Sequence, residues 1–140
     1  MPIELTVLTW GCLLGAVHIF LAVRLKIRQY GPEWSMGPRD EALPQPTPAL
    51  GRLMRAQANY FETFPIVAAG VLMLSVSGLA TRWTAIAALF WLAARTIYLP
   101  LYAVGARNWR TYTFMVSVAA IIVLFWPLLA AGFDRSVLVH

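Results

Sequence analysis

Four long apolar stretches, at residues 3–23, 49–79, 83–104 and 111–133, leave this chain little choice of surroundings. A helix of about 20 residues crosses a hydrocarbon core of about 30 Å, and each stretch reaches that length. Within lipid a lone segment satisfies its backbone only as a helix. Composition agrees: 60% of residues are hydrophobic and 12% charged, against about 25% charged in soluble domains. The core of a soluble domain this small cannot hide so much apolar surface. The expectation is an all-α membrane protein, a bundle of four transmembrane helices forming one domain over residues 1–140. The net charge of +5 gathers at the ends of the spans. That placement suits lipid headgroups or a small anionic ligand, and not nucleic acid.

In the first span the positive charges Arg24, Lys26 and Arg28 follow the apolar run, the order of a retained helix and not of a cleaved signal. Gly11 and Gly15, with Ala16 and Ala22 nearby, give it a small-residue face for close helix contact. His18 has no second His or Cys at ligand spacing, so no metal site is expected and a packed or backbone-bonded histidine is. Cys12 is alone, which excludes an intrachain disulfide, and it reads as inert packing. Residues 29–48 hold Gly31-Pro32, Gly37-Pro38, Pro44, Pro46 and Pro48 and are expected to form a helix-free loop, a connector more than a lid. Pro65 is expected to kink the second span and Ser77-Gly78 to end it. Residues 105–109 read as a turn and 134–140 as a surface tail.

Arg24, Lys26, Arg28, Arg39, Arg52, Arg55, Arg107 and Arg110 fall at one end of the spans, and Arg82 and Arg135 at the other. The positive-inside bias then puts both termini outside the cytoplasm and the loop 29–48 inside.

The second span opens with polar residues that are not scattered. At about 100° per residue, Arg55, Asn59 and Glu62 share one narrow stripe, with Arg52 at its edge. On the third span Arg95, Tyr98 and Tyr102 share a face. The two spans are antiparallel. Counting about 1.5 Å per residue from the basic end puts Glu62 and Arg95 at similar depth, and Arg55 and Tyr102 nearer the surface. The two stripes can therefore line one polar cleft. A Glu62–Arg95 ion pair that merely locks two helices would account for part of this. It leaves Arg55, Arg107, Arg110 and Arg52 without an internal carboxylate, a surplus that suits an anionic ligand also carrying an amine.

At these residues the chain resembles the MAPEG family, the membrane-associated proteins of eicosanoid and glutathione metabolism. The run Arg55-Ala-Gln-Ala-Asn-Tyr-Phe-Glu-Thr-Phe-Pro65 is similar to the family signature R-A-x-x-N-x-x-E-x-x-P, and Arg95-Thr-Ile-Tyr98 with Tyr102 is similar to its third-helix motif. The resemblance implies four-helix protomers joined as a homotrimer, with glutathione bound between protomers near the cytoplasmic face. By the motif, Arg55, Asn59 and Glu62 would hold the tripeptide, with Arg95, Tyr98 and Tyr102 facing them. Arginine forks suit its carboxylates and Glu62 its ammonium. The implied reaction is thiolate attack on a lipophilic electrophile arriving from the bilayer, or reduction of a lipid hydroperoxide. The family's thiol-activating arginine lies near the start of the fourth helix, where Arg110 is the first candidate and Arg107 the second. The cluster Arg24, Lys26 and Arg28 would reach toward a neighbour's site. Thr63 stands where some members carry a tyrosine. The compact chain looks bacterial in type, which implies an inner-membrane location.

Two other functions fit the same residues. A non-catalytic membrane binding or regulatory protein of this family would keep Arg55, Asn59 and Glu62 without needing a thiol-activating arginine. A small transporter is disfavoured, because one four-span unit offers little room for alternating halves.

Overall fold

In a computed structural model the chain is described over residues 1–137, with side chains described to Phe133. It forms helices α1 (Ile3–Tyr30), α2 (Pro32–Met36), α3 (Pro48–Ser77), α4 (Arg82–Val104) and α5 (Arg107–Val137). Four of these, all but α2, are long and apolar enough to cross a membrane. Their outer faces carry large exposed apolar side chains, among them Trp10, Phe20, Phe90, Ile122 and Trp126. In water such a surface would aggregate; in lipid it is the solvated face.

The helix ends follow from local chemistry. Thr47 caps α3 by accepting from the Leu50 N–H at 3.4 Å, with Pro48 in the first turn. Gly78 closes α3 in the left-handed region at φ 68. Thr81 and Thr84 form a reciprocal capping box that opens α4. Helix α3 runs on through Pro65, and α4 through Pro100, without interruption.

Four expectations need correcting. The first helix does not stop at residue 23. Arg24–Tyr30 is built largely of good helix formers, so the helix continues past the apolar run until Gly31-Pro32. The loop is not helix-free: Pro32, whose missing N–H costs nothing at a first helical position, starts the single turn of α2. Residues 107–109 do not continue the turn that begins at Gly105 but open the first turn of α5. Cys12, expected as packing, is exposed on the outer face of α1. The expected surface tail at 134–140, and Arg135 in the charge count, lie outside the described side chains.

Helices α3 and α4 form the central pair. Helix α1 packs on both, α5 packs on both, and α1 and α5 make no contact among the described residues. Buried positions recur at seven-residue spacing: Leu53, Tyr60, Val67 and Leu74 on α3, and Thr84, Trp91 and Tyr98 on α4. That period is the seam of left-handed helix packing. The small-residue face of α1 is filled by Tyr60. Its hydroxyl donates to the Gly11 carbonyl at 2.6 Å. A Cβ at Gly15 would stand 3.3 Å from its ring, and one at Gly11 2.8 Å from Phe64. His18 stacks on Tyr60 at 4.5 Å and donates from Nδ1 to the Leu14 carbonyl at 2.9 Å. It is packed and backbone-bonded, as expected.

Two polar ties were not legible beforehand. Buried Glu4 accepts from the Thr84 hydroxyl at 2.7 Å, pinning α1 to α4 at the end away from the basic cluster. Arg52, counted as a surplus cation, donates from Nε to the Ala103 carbonyl at 2.9 Å in the last turn of α4. A cation there satisfies an orphan carbonyl and complements the helix dipole. Arg52→Ala is expected to lower stability by about 1 kcal/mol, read as a fall in melting temperature of the detergent-solubilised protein.

Candidate functional site

Arg95 sits on α4 in the packed interior, 1% exposed. Its Nη1 donates to Asn59 Oδ1 at 2.7 Å and its Nη2 to Thr63 Oγ1 at 2.8 Å, both on α3. Its guanidinium also lies 5.4 Å from the Tyr98 ring centre and 5.3 Å from that of Phe114 on α5. Among the described residues no carboxylate pairs with it. The ion pair weighed from the sequence is therefore replaced by neutral hydrogen-bond partners and aromatic faces.

From Arg95 a file of side chains leads to the basic end of the bundle. Tyr98 and Tyr102 lie 5.3 Å apart between ring centres. The Arg110 guanidinium covers Tyr102 at 4.9 Å. This file borders a crevice of about 210 Å³ between α3, α4 and α5, lined by Asn59, Tyr98, Tyr102, Arg110, Thr111 and Phe114. The last two were not foreseen; their signal is only that they follow Arg110 on the inward side of α5. Arg107 and Arg110 occupy the first turn of α5, which holds no acidic residue. Cations at a helix start oppose the macrodipole, and a bound anion would reverse that cost.

Arg55 and Glu62 stand apart from the crevice. Both are exposed, and neither has a hydrogen-bond or ion-pair partner among the described residues. The geometry of α3 explains the split. At about 100° per residue, Glu62 lies within about 20° of Arg55, while Asn59 is turned about 40° toward α4 and Thr63 about 80°. The contact with α4 takes Asn59 and Thr63. It leaves Arg55, Ala58, Glu62, Pro65, Ile66 and Ala69 on one outward face. Arg107 is exposed as well.

The structure thus brings Asn59, Arg95, Tyr98, Tyr102 and Arg110 together, and sets Arg55, Glu62 and Arg107 on adjoining open surface. A larger groove of about 310 Å³ runs between α4 and α5 near Trp83, Phe90 and Val123, but every lining residue is apolar. It is an apolar furrow that offers no charged group.

The sequence profile of the MAPEG family matches residues 7–130. The chain belongs to that family, and is an integral multi-pass membrane protein of eicosanoid and glutathione metabolism. No individual curated protein matches it.

Proposed function

We propose that this MAPEG-family protein is a glutathione-dependent transferase or peroxidase acting on a lipophilic electrophile. The observation that carries the reading is the cation file from Arg95 to Arg110, without a carboxylate partner among the described residues, bordering a crevice that also presents Asn59 and two tyrosines.

The crevice, about 210 Å³, is smaller than the roughly 300–1,000 Å³ of ordinary ligand pockets. A tripeptide with two carboxylates and an ammonium needs further surface. The outward face of α3 offers Arg55 for a carboxylate and Glu62 for the ammonium. In a homotrimer that face would meet a neighbouring protomer, so each glutathione would bridge two chains at the cytoplasmic side. A partner helix would also explain why two charges sit on the open face of a membrane helix, where contact with lipid is costly.

In this reading Asn59 and Arg55 hold the ligand, Arg95 fixes Asn59, and Tyr98 and Tyr102 form the wall. Arg110 places its charge beside the thiol. A free thiol titrates at about 8.5, and an adjacent cation raises its thiolate fraction at neutral pH. The thiolate attacks an electrophilic carbon, a thioether bond forms, and the leaving group departs with the bonding pair. With a hydroperoxide the thiolate attacks the distal oxygen and an alcohol leaves, and a second glutathione then releases disulfide and water.

The test is turnover of glutathione with 1-chloro-2,4-dinitrobenzene and with a lipid hydroperoxide. Arg110→Ala is expected to lower kcat on the order of 10²-fold with glutathione binding retained, and Arg107→Ala to have little effect. Binding without turnover in the unmutated protein, across several electrophiles, would favour the non-catalytic regulator instead.

A further inference from the structure

The segment between α1 and α3 is fastened over the basic end of α1. Gln29 holds it at two points, donating to the Gln45 carbonyl at 3.0 Å and accepting from the Thr47 N–H at 2.9 Å. The Tyr30 hydroxyl donates to the Pro44 carbonyl at 3.1 Å. Beneath this strap lies a cavity of about 290 Å³, lined among others by Lys26, Tyr30, Trp34, Pro44, Pro46 and Met54. It shares no residue with the crevice beside Arg110.

Two of the polar groups that remain free around this cavity are donors, and Gln45 adds a side-chain amide that can both donate and accept. Lys26 has no hydrogen-bond or ion-pair partner among the described residues. The Trp34 indole N–H is buried with no acceptor. The Tyr30 proton is already committed to Pro44. Arg39 adds a second cation: it lies 5.3 Å over the Trp34 ring and is tied by Nη2 to the Ser35 carbonyl at 2.8 Å. Its backbone sits at φ 64, a conformation that costs a non-glycine residue energy and marks a constrained position. The acidic residues of the segment, Glu33, Asp40 and Glu41, are exposed and outside the lining. A buried N–H and an ammonium without acceptors call for an anion with several acceptor oxygens.

Depth identifies which anion. Twenty residues of α1 from Ile3 span about 30 Å, so Lys26 lies just past the hydrocarbon, at headgroup level. Of the remaining lining, Leu43, Pro44, Pro46 and Met54 are apolar and suit the glycerol and first methylenes of a lipid, while Gln45 is polar. We propose that this cavity holds the phosphate headgroup of an anionic phospholipid, with Lys26 and the Trp34 N–H on its oxygens and Arg39 stacked behind.

The test is native mass spectrometry of the full-length, detergent-purified protein titrated with phosphatidylglycerol or phosphatidylcholine. Phosphatidylglycerol adducts are expected to form at lower lipid concentration. Lys26→Gln and Trp34→Phe, which removes the N–H and keeps most of the ring, should each raise the concentration needed by about tenfold. Arg28→Gln, outside the lining, should not. Glycerol phosphate in excess should leave the adduct in place, whereas displacement by it would show a site for free phosphate and overturn the lipid assignment. Equal binding of the two lipids, or unchanged binding in both Lys26→Gln and Trp34→Phe, would overturn the site itself.

Discussion

Arg95→Met is expected to weaken glutathione binding at least about tenfold while leaving the protein as stable as before, or more stable by about 1–4 kcal/mol. Arg95 is 1% exposed and has no carboxylate partner among the described residues. Desolvating a lone guanidinium costs several kcal/mol, which two neutral hydrogen bonds and two aromatic faces offset only in part. Its Nε, moreover, is buried with no acceptor. A methionine fills a similar volume without that cost. What it cannot do is hold Asn59 Oδ1 at the wall of the crevice. Stability gained with function lost is the signature of a residue kept for its site. Thermal melting in detergent, run beside calorimetric titration, separates the two effects. A fall in melting temperature of more than about 5 °C would instead make Arg95 a fastening for α3 and α4.

Tyr60→Ala is expected to cost about 3–5 kcal/mol, the largest stability effect of any single truncation in this bundle. Tyr60 is 1% exposed and stands where α1, α3 and α4 meet. Its ring stacks on His18 at 4.5 Å and Phe64 at 5.4 Å, tilts against Trp91 at 6.0 Å, and covers the backbone of Gly11 and Gly15. Helices in lipid associate through packing of this kind, because apolar side chains gain little by leaving lipid. Tyr60→Phe keeps the packing and loses only the bond to the Gly11 carbonyl, so about 1 kcal/mol is expected there. Denaturation of the two variants in mixed micelles checks the ratio. Near-equal losses would place the stabilisation in the hydroxyl and not in the ring.

Much of this was legible in the chain. Four apolar stretches gave four long helices, because lipid permits little else. Gly11 and Gly15 announced a close approach, and Gly78 and Gly105 marked helix ends through fixed backbone preferences. The polar stripe on α3 was visible, but its division was not. Arg55, Asn59 and Glu62 differ by a few tens of degrees around the helix. Whether α4 meets one edge of the stripe or the other depends on how the helices are rotated in the bundle. For the same reason Arg52 could not be recognised as a cap for α4, nor Glu4 as the partner of Thr84, eighty positions away in sequence. Thr63 read as a departure from the family pattern, and only the position of Arg95 gives it a task as acceptor. The strap from Gly31 to Thr47 looked like a mere connector because its fastenings are backbone carbonyls and a backbone N–H, which leave no trace in side-chain pattern.

The most direct test of the central claim is calorimetric titration of glutathione into the purified, folded protein, with Arg55→Ala and Glu62→Ala alongside. The predicted result is saturable binding, weakened at least about tenfold in each variant, since each loses a charged contact to the tripeptide. No binding to the unmutated protein, or equal binding by all three, would contradict it and leave the cation file serving a different anion.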